Sequence, residues 1–151
     1  MNLPSTPSFS LKNKRALIAG ASSGIGLACA VALAEYGASI TIAARRSQKL
    51  EELSASLKDK GISTELVELD VSKTDRMLQT INRLDPFDIL VNSAGTAKHS
   101  ISVETKESDF DDVMSVNLKG AYFLTMAVAR RLMSVNKSGS LINISSQMGL
   151  V

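Results

Sequence analysis

Apolar residues fill every position of the run Ala16-Leu17-Ile18-Ala19, which predicts a parallel strand covered on both faces. The run passes through Gly20-Ala21-Ser22-Ser23-Gly24-Ile25-Gly26 into helical apolar spacing, from Gly24 to about residue 36, where Gly37 supplies a stop. Residues 39–44 give a β-branched-rich strand pattern, and a helix from about 48 to 60 presents Leu50, Leu53 and Leu57 on one face before Gly61 ends it. Strand character returns over 65–69. Met77, Leu78, Ile81 and Leu84 then mark a third helix face, closed by Asp85-Pro86. A fourth strand is predicted at 88–92, followed by an irregular stretch from 93 to about 107, a long helix from about 109 to 133, a turn at 136–139 and a fifth strand at 140–145. Five strands thus alternate with four helices. Strict alternation implies right-handed crossovers, a doubly wound parallel sheet of the α/β class, and a ligand beyond the carboxyl ends of the strands. Residues 1–10, which hold the early Pro and Ser residues, read as a flexible lead-in, and 11–151 as one domain.

Composition narrows the partners. With 151 residues, 44% hydrophobic and 21% charged, the chain can bury a core, so bulk disorder is excluded. The 17 basic and 15 acidic residues are interspersed and leave a net charge of +2, so no basic stripe points to nucleic acid. No apolar run reaches membrane-spanning length, and Met1-Asn2-Leu3-Pro4-Ser5-Thr6-Pro7 lacks the layout of a signal peptide. A single cysteine, Cys29, set among helix alanines, reads as a small buried hydrophobe and agrees with a reducing compartment. A cytoplasmic protein without a membrane partner is expected. The chain has no His-Glu-x-x-His, no paired Cys and no Gly-Lys-Ser/Thr, so metal hydrolysis and P-loop nucleotide hydrolysis lack their residues. The only imidazole, His99, lies in the polar stretch Thr96-Ala97-Lys98-His99-Ser100 and reads as a solvated loop residue.

The glycine-rich turn carries the first chemistry. Gly20, Gly24 and Gly26 alternate with small residues, Ser22 and Ser23 among them, and with Ile25 at the helix start. Such a turn lets free backbone N–H groups at a helix N-terminus approach a pyrophosphate, although a tight strand-to-helix connection also uses glycine. Where the second strand ends, a dinucleotide fold that binds the adenosine ribose 2′-OH carries an acidic residue. This chain has Ala44-Arg45-Arg46 instead. A guanidinium pairs bidentately with a 2′-phosphate and stacks on adenine, which favours NADP(H) over NAD(H) as cofactor; the bland reading is two arginines solvating a loop.

Taken with Asn92-Ser93-Ala94-Gly95, Ser115-Val116-Asn117-Leu118 and Asn143-Ile144-Ser145-Ser146, all in order, the turn resembles that of the short-chain dehydrogenase/reductases. The resemblance runs from about residue 11 to the last residue. Its glycine order, Gly-x-x-x-Gly-x-Gly, is that family's rather than the commoner Gly-x-Gly-x-x-Gly; Ala19 stands where the family usually has Thr, and Ser93 where it has a second Asn. The resemblance implies a Rossmann-type cofactor domain and, of the two arginines, gives the 2′-phosphate role to Arg45 first. Asp70 and Val71 would meet the adenine, although Asp70 also suits an N-cap or turn carboxylate before the third helix. Asn92 would stabilise the central sheet, while Ala94 and Gly95 would lay their backbone against the cofactor. Asn117 would belong to the catalytic set, holding a water that serves a catalytic Lys; its bland reading is a surface Asn. Ser146 would donate a hydrogen bond to the substrate carbonyl oxygen as charge builds there.

The family's proton donor, a Tyr followed four residues later by Lys, does not occur: Tyr36 is followed at that offset by Ile40 and Tyr122 by Met126. An unassisted phenol titrates near ~10, so that Lys is needed for function near neutrality. The expectation is therefore a fragment, the cofactor-binding part of an oxidoreductase, inactive alone. The parent would transfer hydride between nicotinamide and a small-molecule carbonyl or secondary alcohol such as a 3-oxoacyl thioester, sugar or polyol, as a homo-oligomer joined through the helix at about 109–133. The competing expectation is a non-catalytic dinucleotide sensor or interaction module.

Overall fold

The computed structural model describes residues 6–149; residues 1–5 of the expected lead-in and 150–151 of the expected domain lie outside the described residues. Five parallel strands, β1 (Arg15–Ala19), β2 (Ser39–Ala44), β3 (Thr64–Glu68), β4 (Ile89–Asn92) and β5 (Ser140–Asn143), form one sheet in the order β3-β2-β1-β4-β5. They are joined by α1 (Gly24–Glu35), α2 (Ser47–Lys58), α3 (Thr74–Arg83) and a helical segment made of α4 (Glu107–Met114), a π-helical stretch Ser115–Gly120 and α5 (Ala121–Ser134).

The alternation of side chains across β1 sets the two layers. Leu17 and Ala19 pack with Met77 and Ile81 of α3 and with Leu124, Val128 and Leu132 of α5 on one face. Ala16 and Ile18 pack with Ala30 of α1 and Leu50 of α2 on the other. Leu17, Ile18, Ile42, Leu90, Met77, Ile81 and Phe87 are fully buried, each contributing about 1.5–3 kcal/mol of transfer free energy. Double coverage explains why β1 and β4 read as unbroken apolar runs over 16–19 and 89–91 rather than alternating ones; β2 interrupts its run with Thr41, whose buried hydroxyl donates to Glu65 Oε2 at 2.8 Å.

Register then places the site. Ala19 pairs with Ala43 on one side and Asn92 on the other, and Asn92 pairs with Asn143. The residues that follow, Gly20, Ala44 and Ser93, therefore stand in one row at the carboxyl edge of the sheet, with Arg45 the next residue out from β2. The chain turns to β2 on one side of β1 and later to β4 on the other, so strand order reverses between β1 and β4, where open α/β sheets hold ligands.

The structure differs from the sequence pattern in three places. The helix expected from 109 to 133 begins at Glu107 and is interrupted by the π-helical stretch, in which Gly120 is buried against Val71. The irregular stretch contains a 3-10 turn, Ser102–Glu104. Ladder pairing of β5 stops at Asn143 rather than 145, one further bond running from Ile144 N–H to the Asn92 carbonyl.

Gly120 offers a test of this packing. A Cβ there would lie 2.8 Å from the Val71 carbonyl oxygen and 3.0 Å from Val71 Cβ. Gly120→Ala gains about 1 kcal/mol of helix propensity but must displace backbone, an overpacking cost of about 1–3 kcal/mol. Urea denaturation should show net destabilisation, whereas Gly95→Ala, whose Cβ would meet only Asn117 Oδ1 at 3.7 Å, should leave stability nearly unchanged. Equal midpoints for the two variants would contradict the packing described.

Candidate functional site

The strand ends enclose a cleft of ≈ 220 Å³. Its walls come from four loops: Gly20, Ser22 and Ser23 after β1, Arg45 and Arg46 after β2, Asp70 and Val71 after β3, and Ser93, Ala94 and Gly95 after β4, with Val116 from the π-helical stretch. Gly24, Ile25 and Gly26 form the first turn of α1, immediately after that wall.

Two of the glycines let the walls meet. At Gly20 the backbone takes φ +77°, and a Cβ would stand 2.6 Å from Ala94 N and from Ser93 C and O. At Gly26 a Cβ would overlap the Gly20 carbonyl. These two positions thus fasten the β1 turn to the β4 turn and α1 to the β1 turn. Gly24 is different: φ is +59°, with no atom within 4 Å of where a Cβ would stand. Ser23 sits at the N-cap of α1 without a side-chain cap bond, so the first-turn amides and this hydroxyl keep their capacity for an outside acceptor.

Charge on the β2 side is positive and uncommitted. Arg45 and Arg46 are exposed, and the ion pairs among the described residues do not involve them. Asp70, the one carboxylate in the wall, is occupied by a turn: its Oδ1 accepts from Ser72 N–H at 3.0 Å and Ser72 Oγ–H at 2.7 Å. It closes an Asx turn before α3, whose N-cap position is Lys73, so of its two local readings the turn carboxylate is the one observed.

Asn92 lies buried beneath the β4 wall. Its Oδ1 accepts from Ala94 N–H at 3.2 Å, and its Nδ2 donates to Asn143 Oδ1 at 3.0 Å. Asn143 Nδ2 donates to Thr125 Oγ1 at 3.2 Å, and that hydroxyl donates to the Ala121 carbonyl at 2.8 Å. This chain ties β4, β5 and α5 together below the loop that bears Ser146. Asn143 opens the Asn143-Ile144-Ser145-Ser146 motif, but that motif does not show its partnership with Asn92 and Thr125; Thr125, on α5, has no motif of its own. Asn117 is not a bare surface residue: its Oδ1 accepts from Thr96 N–H at 2.9 Å and its Nδ2 donates to the Thr96 carbonyl at 2.8 Å. It borders a second, apolar groove of ≈ 390 Å³ with Tyr122, Met126 and Asn143. Ser146 is exposed after β5, its Oγ accepting from Met148 N–H at 3.2 Å. The structure therefore gathers Gly20, Ser22, Ser23, Arg45, Arg46, Asp70, Val71, Ala94 and Gly95 around one cleft, and places Asn117 and Ser146 outside its wall.

Among the described residues, no group of three His, Cys, Asp or Glu could hold a metal ion, and no helix is long and apolar enough to cross a membrane.

Residues 14–151 match the family model described as short chain dehydrogenase. Gluconate 5-dehydrogenase of Gluconobacter oxydans is 34% identical over 142 residues, covering 91% of this chain and 55% of that protein. A 3-oxoacyl-[acyl-carrier-protein] reductase of Staphylococcus epidermidis is 34% identical over 142 residues, covering 91% and 58%. The crystal structure of a gluconate 5-dehydrogenase from Burkholderia cenocepacia, in complex with NADP and tartrate, superposes with a TM-score of 0.85 at 34% identity, covering 91% of this chain and 55% of that one. The chain thus spans little more than half the length of the curated relatives it matches. A parallel sheet with its strand order reversed at β1, a Gly-x-x-x-Gly-x-Gly turn at that point and the family match across residues 14–151 together make this chain a member of the short-chain dehydrogenase family.

Proposed function

We propose that these residues are the cofactor-binding part of an NADP(H)-preferring oxidoreductase that interconverts a carbonyl and a secondary alcohol. The observation that carries the cofactor preference is the Ala44-Arg45-Arg46 end of β2, where two exposed guanidinium groups stand in place of a ribose-binding carboxylate. The cleft fits the group. Gly24 leaves space where a Cβ would stand, the N-terminus of α1 offers uncapped amides, and Arg45 and Arg46 have no carboxylate partner among the described residues. Nicotinamide, when bound, supplies the hydride chemistry.

The chain's own groups bind and orient. Arg45 pairs with the 2′-phosphate, with Arg46 beside it; the amides at Ser22–Ile25 receive the pyrophosphate; Asp70, Val71, Ala94 and Gly95 hold the adenosine side. Ser146 donates to the substrate carbonyl oxygen, and Asn117 holds the water path of the catalytic set. The proton donor and its lysine belong to sequence that these 151 residues do not contain, so the chain by itself turns nothing over. The substrate is a small carbonyl compound of the sugar-acid, polyol or 3-oxoacyl type, in keeping with the relatives' names. The parent assembles through the 109–133 helical segment, on which Tyr122 and Met133 are exposed.

Fluorescence titration tests the cofactor assignment. NADPH should bind more tightly than NADH, and Arg45→Asp should cut NADPH affinity by about 10- to 100-fold, the worth of one charge-assisted hydrogen-bond pair. Equal affinities for both cofactors, unchanged in the variant, would refute it. In the full-length parent, Ser146→Ala should lower kcat on the order of 100-fold with little change in NADPH affinity, as expected for a donor aimed at developing charge. A loss in Ser145→Ala instead would assign the role to the neighbouring hydroxyl. Turnover by the 151-residue chain would contradict the missing proton donor, whereas NADPH binding by a parent that never turns over would favour a sensor.

A further inference from the structure

The connection from β4 to the 3-10 turn, residues 93–101, has no regular structure, yet it forms one wall of the cleft. Loops of this kind are mobile unless something holds them. Ser93 and Ala94 are held by their contact with Gly20, by the Asn92 side chain and by packing of Ala94 on the core, but packing gives little beyond them: Gly95 has no side chain, and residues 97–101 are exposed. Polar bonds to the following helix hold that part. Thr96 is gripped through both its N–H and its carbonyl by Asn117. Two residues on, Lys98 Nζ donates to Asp109 Oδ1 and to Asp112 Oδ2, each at 2.6 Å.

We infer that Lys98 is a positioning residue, a clasp that locks the β4 loop onto α4 and so fixes the Gly95 end of the wall against which the dinucleotide is bound. The inference rests on the cofactor reading above. Its physical basis is geometric. Asp109 and Asp112 are three residues apart on one helix, so α4 sets their carboxylates on one side before the lysine arrives. A single exposed ion pair contributes little because ordering two long side chains offsets its attraction. Here the two acceptors have short side chains on a helix, and only Lys98 must be ordered. The hydrogen bonds to Asp109, then Asp112, hold the Lys98 ammonium above its ordinary range, and the Lys98 contact holds the Asp112 carboxyl below its own, with a smaller contribution from Lys73. Lys98 and Asp112 thus both carry charge throughout the neutral range.

Both anchors close on the same helical segment, with Ala97 alone between them, so release of Lys98 should loosen the bond at Thr96. Lys98→Met keeps most of the stem and removes the charge. Hydrogen exchange on the 151-residue chain should then show the Thr96 amide exchanging about threefold to tenfold faster, with NADPH affinity falling by a similar factor, the scale of one or two exposed ion pairs. The melting temperature should not move, and Lys98→Arg should restore both readouts. Asp112→Asn should reproduce a smaller version of the effect. A protein that binds NADPH as proposed but shows unchanged Thr96 exchange and unchanged affinity in Lys98→Met would overturn the clasp. Faster exchange without loss of affinity would overturn its role at the cleft. A wild-type chain that does not bind NADPH would defeat the cofactor reading itself, and the clasp's role with it.

Discussion

The backbone of the β1 turn touches the backbone of the β4 turn, and the cleft exists because of that contact. Gly20 comes so close to Ser93 and Ala94 that a single added carbon would lie 2.6 Å from three of their atoms, and Gly26 brings the first turn of α1 against the Gly20 carbonyl in the same way. Two absent side chains thus bring together a helix N-terminus and the loops beside it. Any residue with a Cβ at either position would have to open the turn, since the obstructing atoms are backbone and cannot rotate away.

Below that contact, buried polar groups hold the strand ends in register. Among the described residues Asn92 is one of two buried polar residues in the core, and both of its side-chain ends are engaged, toward Ala94 above and Asn143 beside it. A buried amide left half-satisfied would cost about 1–3 kcal/mol, so the ladder through Asn143 and Thr125 is as much a requirement of Asn92 as a support for the loop after β5. The uncovered side of that strand carries exposed Ile142 and Ile144, so the polar ladder and an apolar surface meet at the sheet edge near Ser146.

Much of this was legible in the residues. Strands buried on both faces show themselves as apolar runs, and β2 falls where its β-branched pattern places it. The Gly20-to-Gly26 turn and Arg45-Arg46 stand out by residue type alone, and Gly20, Ser22, Ser23 and both arginines line the cleft. What sequence could not show is long-range. The reason for Gly120 is Val71, far away along the chain, and the helix around Asn117 reads as ordinary because a π-helical turn leaves no periodicity of its own over six residues. Asn117, a poor helix former, gave the one local hint, but its partner Thr96 could not be read from spacing. Asp70 suited both an adenine contact and a turn, and only the Ser72 bonds show the turn. Lys98 carries no motif at all; its two aspartates come into view only when the loop is seen lying along α4.

If the four strand-end loops act as one dinucleotide site, amide chemical-shift mapping of the isotopically labelled chain during NADPH titration should show one saturable set of shifts, covering Gly20 to Gly26, Arg45 and Arg46, Asp70 and Val71, and Ala94 to Thr96, with the amino ends of β1, β2 and β3 silent. Shifts confined to the groove beside Tyr122 and Met126, or no saturable shifts at all, would rule that site out.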